Sequence, residues 1–368
     1  MSQSLITNHA AKVISSLAPD ERVDTALKRH LADQRHPSPS EKGDIARAVF
    51  TYFRWFQWLD ENTSVQMRVE AALDLQGRFN RDPRSTKDQA LVIRAVPSWV
   101  AAEMDVSAAW CRHLQQAPAL WIRARPGKAA ELAKKLSDTV ATPLSADALH
   151  YTGSRDLFLT PEFHAGAFEL QDLSSQLVGI AAAPQPGQTW WDACAGEGGK
   201  TLHLADLMQN KGLIWASDRS ERRLQSLKRR TARAKIFNYR AASWDGSERL
   251  PTKTKFDGVL IDAPCSGIGT WQRNPSARWT TTANDVKELA VIQRSLLSNV
   301  APSLKSGGRL VYAVCTLSRA ETTAVADEFT AAHPEFESMP VLGETPKKTI
   351  WPQDVNANGM FIAIWRKK

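Results

Sequence analysis

Two cysteines occupy similar positions in the sequence. Cys265 lies in "IDAPCSGIGTW" and Cys315 in "LVYAVCTLSRAE", each where an apolar run gives way to a polar loop. A cysteine thiolate can add to an electrophilic carbon, and the covalent intermediate divides one difficult reaction into easier steps. A free thiol has a pKa of roughly 8.5, so it needs a cation or a helix N-terminus nearby to ionise. A buried cysteine is often only a small apolar residue, and a strand-end position alone does not say which thiol would attack.

A glycine-rich turn predicts the ligand that such thiols would serve. "DACAGEGGK" (Asp192 to Lys200) is typical of a strand followed by a turn whose glycines let a ligand approach the backbone. The next strand ends at Asp218, where a carboxylate suits the two hydroxyls of a ribose. The spacing differs from GxGxxG and from GxxxxGK(S/T), so it favours a nucleoside such as S-adenosylmethionine. A tight turn with structural glycines is the alternative. Asp245, in "ASWDG", is either an acceptor for an adenine amino group or a turn residue.

These residues require a sheet whose strand ends meet at one edge. From about residue 171, apolar strands alternate with helical segments, which predicts a mostly parallel, doubly wound sheet with its ligands beyond the carboxyl ends of the strands. The region before about residue 117 shows apolar residues at helical spacing, and a strand, a Pro-Gly turn and a helix follow it. We therefore expect a helical domain over 1–117, a small α/β segment over 118–170 and an α/β catalytic domain over 171–368.

The composition favours a polyanionic partner. The 368 residues carry a formal net charge of +8, and basic residues cluster in "LKRRTARAK" and in the terminal "WRKK", so contacts to phosphates are expected. Four cysteines are too few for a disulfide scaffold, and no CxxC or His/Cys pairing indicates zinc. The start has no signal-peptide pattern, and the apolar runs are too short to span a bilayer. We expect a cytoplasmic monomer with reduced thiols, no metal and no membrane partner.

The motifs together resemble the RsmB/Nop/Sun family of RNA cytosine-5 methyltransferases. The matching stretches are "DACAGEGGKT", "SDRSERRL", "DAPCSGIGTWQRNPSARW", "VCTLSRAE" and "NGMFIA", with "GAFELQDLSSQL" at the entry to the catalytic domain. The resemblance covers about residues 118–368; the helical part is similar in pattern, more weakly, to a NusB-like RNA-binding domain. The resemblance implies a Rossmann-like methyltransferase fold, S-adenosylmethionine as cofactor, an RNA-binding role for the two preceding regions, and RNA as substrate, which is 16S rRNA for the bacterial enzyme.

The resemblance also implies a role for each site residue. Cys315 would be the nucleophile that adds to carbon 6 of cytosine, Cys265 would assist release, and Asp262 would lie beside the base. DNA cytosine-5 methyltransferases use the cysteine of a Pro-Cys motif, which would instead indicate Cys265 as the nucleophile. Lys200 and Arg273 are cations expected near the thiols. The cofactor-binding residues implied are Cys194, Ala195, Gly196, Glu197, Gly198, Gly199, Lys200, Asp218, Arg223, Asp245 and Asp262.

The sequence departs from the family pattern at two places. Gly196 and Glu197 stand where Ala-Pro is common, and Val314 stands where threonine commonly precedes the nucleophile. "WQRNPSARW" (Trp271 to Trp279) combines cations and aromatic rings, which suits a loop that clamps a splayed-out nucleotide; a surface loop with packing tryptophans is the alternative. We expect Cys111 to be structural.

Several functional alternatives stay open. The same chemistry could act on tRNA or DNA. An amino-methyltransferase fits less well, because its Asn/Asp-Pro-Pro-Tyr loop needs no cysteine. A ribosome-assembly factor could also keep the fold and bind RNA without catalysis, although intact Cys315, Cys265 and Asp262 oppose that interpretation.

Overall fold

The computed structural model describes residues 2–18, 21–32 and 38–368. Its α-helices are, in chain order, α1 (Gln3–Ser15), α2 (Val23–Ala32), α3 (Pro39–Arg54), α4 (Val65–Arg81), α5 (Asp88–Arg94), α6 (Val100–Glu103), α7 (Ala108–Leu114), α8 (Ala129–Leu136), α9 (Pro161–His164), α10 (Leu173–Ala182), α11 (Gly199–Leu207), α12 (Glu221–Arg233), α13 (Ala277–Thr280), α14 (Ala283–Val300), α15 (Thr323–Ala332) and α16 (Pro352–Val355). Short 3-10 helices lie at Phe56–Trp58, Pro83–Ser85, Leu157–Leu159, Ile268–Thr270, Ala301–Ser303 and Arg319–Glu321.

The strands are β1 (Leu120–Ala124), β2 (Thr139–Thr142), β3 (Ser145–Tyr151), β4 (Phe168–Leu170), β5 (Thr189–Asp192), β6 (Leu213–Asp218), β7 (Tyr239–Ser243), β8 (Phe256–Asp262), β9 (Leu304–Val314), β10 (Phe336–Met339), β11 (Lys347–Ile350) and β12 (Met360–Lys367). The chain divides into two compact units: Met1–Ala117 with Thr270–Ala283, and Pro118–Gly269 with Asn284–Lys368. Across the ranges that the structure describes, no helix is long and apolar enough to cross a membrane.

The first unit is helical, and its core lies between α1, α3 and α4. Helix α3 begins with a capping box: the Ser38 hydroxyl accepts the backbone N–H of Glu41 at 3.3 Å, and the Ser38 N–H donates to the Glu41 carboxylate at 2.8 Å. This arrangement satisfies two backbone N–H groups that the helix itself leaves unpaired. Ile45, Val49 and Tyr52 follow at helical spacing and are buried, so the apolar pattern of the sequence becomes the packed face of α3.

The segment Thr270–Ala283 packs within the helical unit, although the sequence placed it in the catalytic domain. Trp271 is fully buried and stacks with Trp110 at 6.4 Å between ring centroids. Arg278 is also fully buried; it donates to backbone carbonyl oxygens, including that of Leu114 at 2.6 Å, and burial lowers its pKa to about 9. The expectation that this segment clamps a nucleotide is therefore wrong for these two side chains. Their aromatic and basic character serves packing of the helical unit.

The second unit contains both sheets. A four-stranded antiparallel sheet has the order β2-β3-β1-β4, and a larger sheet has the order β10-β12-β9-β8-β5-β6-β7, with β11 also paired to β12. Strands β9, β8, β5, β6 and β7 are parallel, whereas β12 is antiparallel to β9 and β10. The prediction of a mostly parallel, doubly wound sheet is confirmed.

The strand order explains where a ligand site forms. Strand β5 lies between β6 and β8. The chain runs to one side of β5 through β6 and β7 and then returns to its other side at β8, and a crevice opens at such a switch point. Strands β8 and β9 are direct neighbours with Asp262 opposite Ala313 in the register. The loops after these two strands therefore start side by side at the same edge of the sheet, although some fifty residues separate them in the chain.

Candidate active site

A cavity of about 470 Å³ opens where β5, β6, β8 and β9 end. Most of the predicted site residues line it: Cys194, Ala195, Gly196, Glu197, Gly199, Lys200, Asp218, Arg223, Asp245, Asp262, Cys265 and Cys315. Gly198 was also expected there and is not among the lining residues. Arg273, expected near the thiols, is an exposed residue of the helical unit.

The glycine-rich turn after β5 takes its shape from two left-handed residues. Gly196 has φ of 56° and Gly198 has φ of 87°, a region that residues with a side chain rarely adopt. A Cβ atom at Gly198 would lie 2.7 Å from Cγ of Leu227 in α12. The absence of a side chain at Gly198 therefore lets the glycine-rich turn pack against α12. Packed in this way, the turn presents its backbone to the cavity.

Asp218, at the end of β6, is buried and holds the turn in place. Its Oδ2 accepts the backbone N–H of Gly196 at 3.0 Å, and its Oδ1 accepts that of Ser220 at 2.8 Å. The Arg223 guanidinium lies 3.8 Å from the same carboxylate. A carboxylate fixed in this way at a strand end can accept hydrogen bonds from a ribose diol.

Asp245 lines the cavity but is engaged in a turn. Its Oδ1 accepts the backbone N–H of Ser247 at 3.0 Å, and hydrogen bonds from Ser247 lower the pKa of Asp245. The apolar wall beside it comes from residues that the sequence did not single out: Trp244, and Ile292 and Leu296 of α14. Trp244 directly precedes Asp245, which is a local signal. The spacing of four between the α14 residues shows a shared helix face but not which ligand they meet.

The two predicted thiols meet at the rim of this cavity. The sulfur atoms of Cys265 and Cys315 lie 3.4 Å apart, and both side chains are partly exposed. Their loops, residues 263–269 and 315–318, are called the thiol loops below. The backbone N–H of Gly269 in one donates to the carbonyl oxygen of Cys315 in the other at 3.1 Å.

Lys200 supplies a buried cation next to the thiols. Its ammonium donates to Oδ2 of Asp262 at 2.6 Å. Burial opposes this charge, but Asp262 and Cys315 outweigh burial, and the net effect raises the pKa of Lys200. The lysine therefore stays charged, and its field favours a thiolate at Cys315.

Cys265 is in a different electrostatic position. Its hydrogen bond to Cys315, burial and the nearby charge of Glu321 all raise the pKa of the Cys265 thiol well above the usual range. Two thiols at this distance cannot both ionise easily. The surroundings of Cys265 therefore favour its protonated form.

Glu321, which the sequence did not assign to the site, connects the two thiol loops. Its fully buried carboxylate accepts the Ser266 N–H at 2.8 Å and the Ser266 hydroxyl from one loop. From the other loop it accepts the Thr316 hydroxyl at 3.1 Å and the Ser318 hydroxyl at 2.9 Å. Gln293 of α14 donates to it at 3.0 Å. In the sequence, Glu321 follows several residues with hydroxyl side chains. That pattern alone does not distinguish a residue of the site from part of a helix cap.

The remaining cysteines are in settings that oppose ionisation. Cys194 lines the cavity, but burial and the charges of Asp192 and Asp262 raise its pKa. Cys111 is fully buried in α7, and burial raises its pKa to about 12. Val314, at the end of β9, is fully buried in the apolar core of the second unit, so an apolar side chain suits that position.

Comparison with known proteins identifies a family that this chain matches. Residues 179–366 match the family model "16S rRNA methyltransferase RsmB/F". A probable ribosomal RNA small subunit methyltransferase B of Synechocystis sp. is 34% identical, over 73% of this chain and 64% of the relative. The ribosomal RNA small subunit methyltransferase B of Shewanella oneidensis is 30% identical, over 76% of this chain and 69% of the relative. A human 28S rRNA (cytosine(4447)-C(5))-methyltransferase is 36% identical, over 59% of this chain and 29% of the relative.

Solved structures share the fold. The crystal structure of PH0851 superimposes with a TM-score of 0.82 and 21% identity, covering 100% of this chain and 99% of that one. A methyltransferase homolog protein from Pyrococcus horikoshii has a TM-score of 0.63 and 26% identity, covering 71% of this chain and 90% of that one. The match to this chain spans 64% of the length of the Synechocystis relative. It spans 49% of a probable ribosomal RNA small subunit methyltransferase B of Bacillus subtilis. On the family model and these relatives, the chain belongs to the 16S rRNA methyltransferase RsmB/F family.

Proposed function

We propose that this protein transfers a methyl group from S-adenosylmethionine to carbon 5 of a cytosine in RNA, with small-subunit ribosomal RNA as the substrate. The observation that carries the proposal is the pair of thiols 3.4 Å apart at the rim of a nucleoside-sized cavity, one of them beside a buried lysine. The names of the relatives support the substrate class, since they are rRNA methyltransferases of bacteria and of a eukaryote.

The cavity fits the proposed cofactor. The Asp218 carboxylate suits the ribose hydroxyls, the turn at residues 194–200 suits the methionine portion, and Trp244 with the α14 side chains offers an apolar surface for adenine. When bound, S-adenosylmethionine supplies an electrophilic methyl group. The protein must then make carbon 5 of cytosine nucleophilic, because the unmodified ring is a poor nucleophile there.

Cys315 performs that activation in the proposed mechanism. Its thiolate forms a bond to carbon 6, and the electron pair of the carbon 5–carbon 6 double bond becomes available at carbon 5. Asp262, held by Lys200, faces the cavity and hydrogen-bonds the edge of the base. After methyl transfer, carbon 5 carries both the new methyl group and its original proton.

Cys265 completes the reaction as the base. It removes the proton from carbon 5, the double bond re-forms, and the bond between carbon 6 and the Cys315 sulfur breaks to return a thiolate. The order follows from electrostatics: an ionised Cys315 holds the pKa of Cys265 high, and bond formation to carbon 6 removes that charge. Once Cys315 has reacted, the partly exposed Cys265 thiol releases its proton to solvent, and the resulting thiolate is the base that takes the proton from carbon 5.

The regions outside the cavity serve RNA binding in this proposal. We assign residues 1–117 and residues 118–170 to contacts with RNA, and residues 171–368 to catalysis. The first of these regions is helical and similar in sequence pattern to a NusB-like domain, and the second contains the small sheet. The net charge of +8 supports a polyanionic substrate. We also propose that the protein acts as a cytoplasmic monomer and needs no metal.

Methyl transfer from labelled S-adenosylmethionine tests the function. Purified protein is incubated with unmodified ribosomal RNA, with small ribosomal particles and with tRNA, and the nucleosides are then analysed. The proposal expects 5-methylcytosine in ribosomal RNA. A label in tRNA alone would replace the substrate class, and RNA binding without any methyl transfer would support the assembly-factor alternative.

A further inference from the structure

A second cavity, of about 490 Å³, lies in the second unit between the small sheet and α12. We call it the arginine groove and define it by Phe158, Phe163, Glu169, Arg229, Arg230 and Arg233, all of which line it. Glu197 lines both this groove and the cofactor cavity. The two cavities therefore adjoin at the glycine-rich turn.

The groove has an excess of positive charge. The buried Glu169 carboxylate accepts from Arg125 at 3.0 Å, from Arg230 at 3.0 Å and from Arg233 at 2.7 Å. Burial alone would raise the pKa of Glu169, but Arg230 and Arg233 outweigh burial and lower it. Arg125 also pairs with Asp206 at 2.8 Å. Among the lining residues, the three arginines therefore face two carboxylates, those of Glu169 and Glu197, and the excess of one positive charge favours anions.

Two arginines keep donors available for a ligand. Arg229 is exposed, and its guanidinium donates to the Ser226 hydroxyl at 3.0 Å. Arg230 is fixed between Glu169 and the carbonyl oxygen of Glu197, to which it donates at 3.1 Å. A guanidinium held in place loses little freedom when it binds a phosphate oxygen.

The groove also presents an aromatic surface. Phe158 is 54% exposed, and its ring contacts that of Phe163 edge to face at 5.0 Å between centroids. The Arg233 guanidinium lies over the other aromatic ring, 3.8 Å from its centroid. An exposed ring beside arginines is the combination that binds single-stranded nucleic acid, because bases stack on the ring and phosphates pair with the cations.

We propose that the arginine groove binds a nucleotide of single-stranded RNA that flanks the target cytosine, its base on Phe158 and its phosphate on Arg229 and Arg230. The proposal rests on the function proposed above, since the shared Glu197 wall places the groove next to the cavity that would receive the cytosine. A peptide partner fits less well, because cations predominate in the groove and the aromatic surface is small.

Binding of a fluorescein-labelled, single-stranded oligoribonucleotide with one central cytosine tests the groove. Fluorescence anisotropy is measured at several salt concentrations for wild type, Phe158→Ala and Arg229→Glu. We expect Phe158→Ala to weaken binding roughly 5-fold to 100-fold, as loss of one stacked base does. Arg229→Glu should reduce the steepness of the salt dependence by about 0.7, the loss of one phosphate contact. Both side chains are exposed, so thermal melts should match wild type.

The matched control is Arg249→Glu, which reverses the charge of an exposed arginine between β7 and β8, outside the groove and outside the two basic clusters of the sequence. It should bind the oligoribonucleotide as wild type does, and all three variants should bind S-adenosylmethionine normally by calorimetry. Wild-type RNA affinity and salt dependence in both groove variants would overturn the proposal and leave a peptide as the better occupant. Failure of wild type to transfer methyl groups would instead reject the proposed function, while the anisotropy result would still decide the groove.

Discussion

Cys265 and Cys315 differ in surroundings more than in position. Both follow parallel strands, both line the same cavity, and their sulfur atoms are 3.4 Å apart. Cys315 interacts electrostatically with the buried Lys200 cation. Cys265 instead has its pKa raised by Cys315, by burial and by Glu321. Similar sequence settings have thus become one thiol that interacts with a buried cation and one thiol whose pKa is raised.

The comparison shows how two equivalent groups can take different steps of one reaction. A nucleophile must be ionised before the substrate reacts. The base that ends the reaction needs to be deprotonated only after the methyl group has been transferred. In the proposed mechanism, the charge on the first thiol provides this order, because it suppresses ionisation of the second.

Removing each thiol should give opposite results. Cys315→Ala should transfer no methyl group and form no covalent RNA complex, because no bond to carbon 6 can form. Cys265→Ala should form the bond and transfer the methyl group but stall at release, so a protein–RNA adduct should survive denaturing gel electrophoresis. Cys111→Ala, with its thiol in the helical unit, is the control and should show neither defect. An adduct from Cys315→Ala and none from Cys265→Ala would reverse the assignment.

Lys200→Met should slow adduct formation roughly 100-fold, the usual loss when one preorganised charged donor is removed. Without the cation, the thiolate at Cys315 is less favoured, so the pH–rate profile should move to higher pH. This shift of the profile distinguishes loss of the cation from a general loss of activity. Lys211→Met, a change at an exposed lysine beyond α11, should leave the profile in place. An unshifted profile in Lys200→Met would show that another group activates the nucleophile.

Asp218→Ala should affect the cofactor and not the thiols. Loss of the buried carboxylate leaves the Gly196 N–H and the ribose without an acceptor, so S-adenosylmethionine binding should weaken by about 1–3 kcal/mol in calorimetry. Asp245→Ala should cost less, because that carboxylate is exposed and bonded within its own turn. Equal losses in the two variants would assign the adenine contact to Asp245 after all.

Glu321→Gln should reduce the difference between the thiols. Removing the charge lowers the pKa of Cys265, so iodoacetamide should label Cys265 at a lower pH than in wild type, as followed by mass spectrometry. The substitution also replaces one carboxylate oxygen, an acceptor, with an amide NH2, a donor. Because five donors surround this side chain, the thiol loops should be held less well and adduct formation should slow roughly 10-fold. Glu328→Gln, on the exposed face of α15, is the control. Labelling at an unchanged pH would limit Glu321 to holding the loops together.

The sequence predicted the cofactor side of the site better than the rest. The glycine turn depends on backbone conformation and Asp218 on its position at the end of a strand, which are local signals, and the structure assembles them in one cavity. "WQRNPSARW" was a weaker guide, because buried tryptophans and an arginine bonded to carbonyl oxygens have the same composition as an RNA-binding loop. Glu321 was missed because its partners come from two loops and a helix that meet only in three dimensions.

Trapping the wild-type protein with RNA that contains 5-fluorocytosine tests the central claim most directly. Fluorine at carbon 5 blocks proton removal, so the bond between the attacking sulfur and carbon 6 persists. Trypsin would place the two thiols on different peptides, "FDGVLIDAPCSGIGTWQR" and "LVYAVCTLSR", which mass spectrometry distinguishes. The account predicts the nucleotide on the second peptide, at Cys315. A nucleotide on the first peptide, at Cys265, would contradict it.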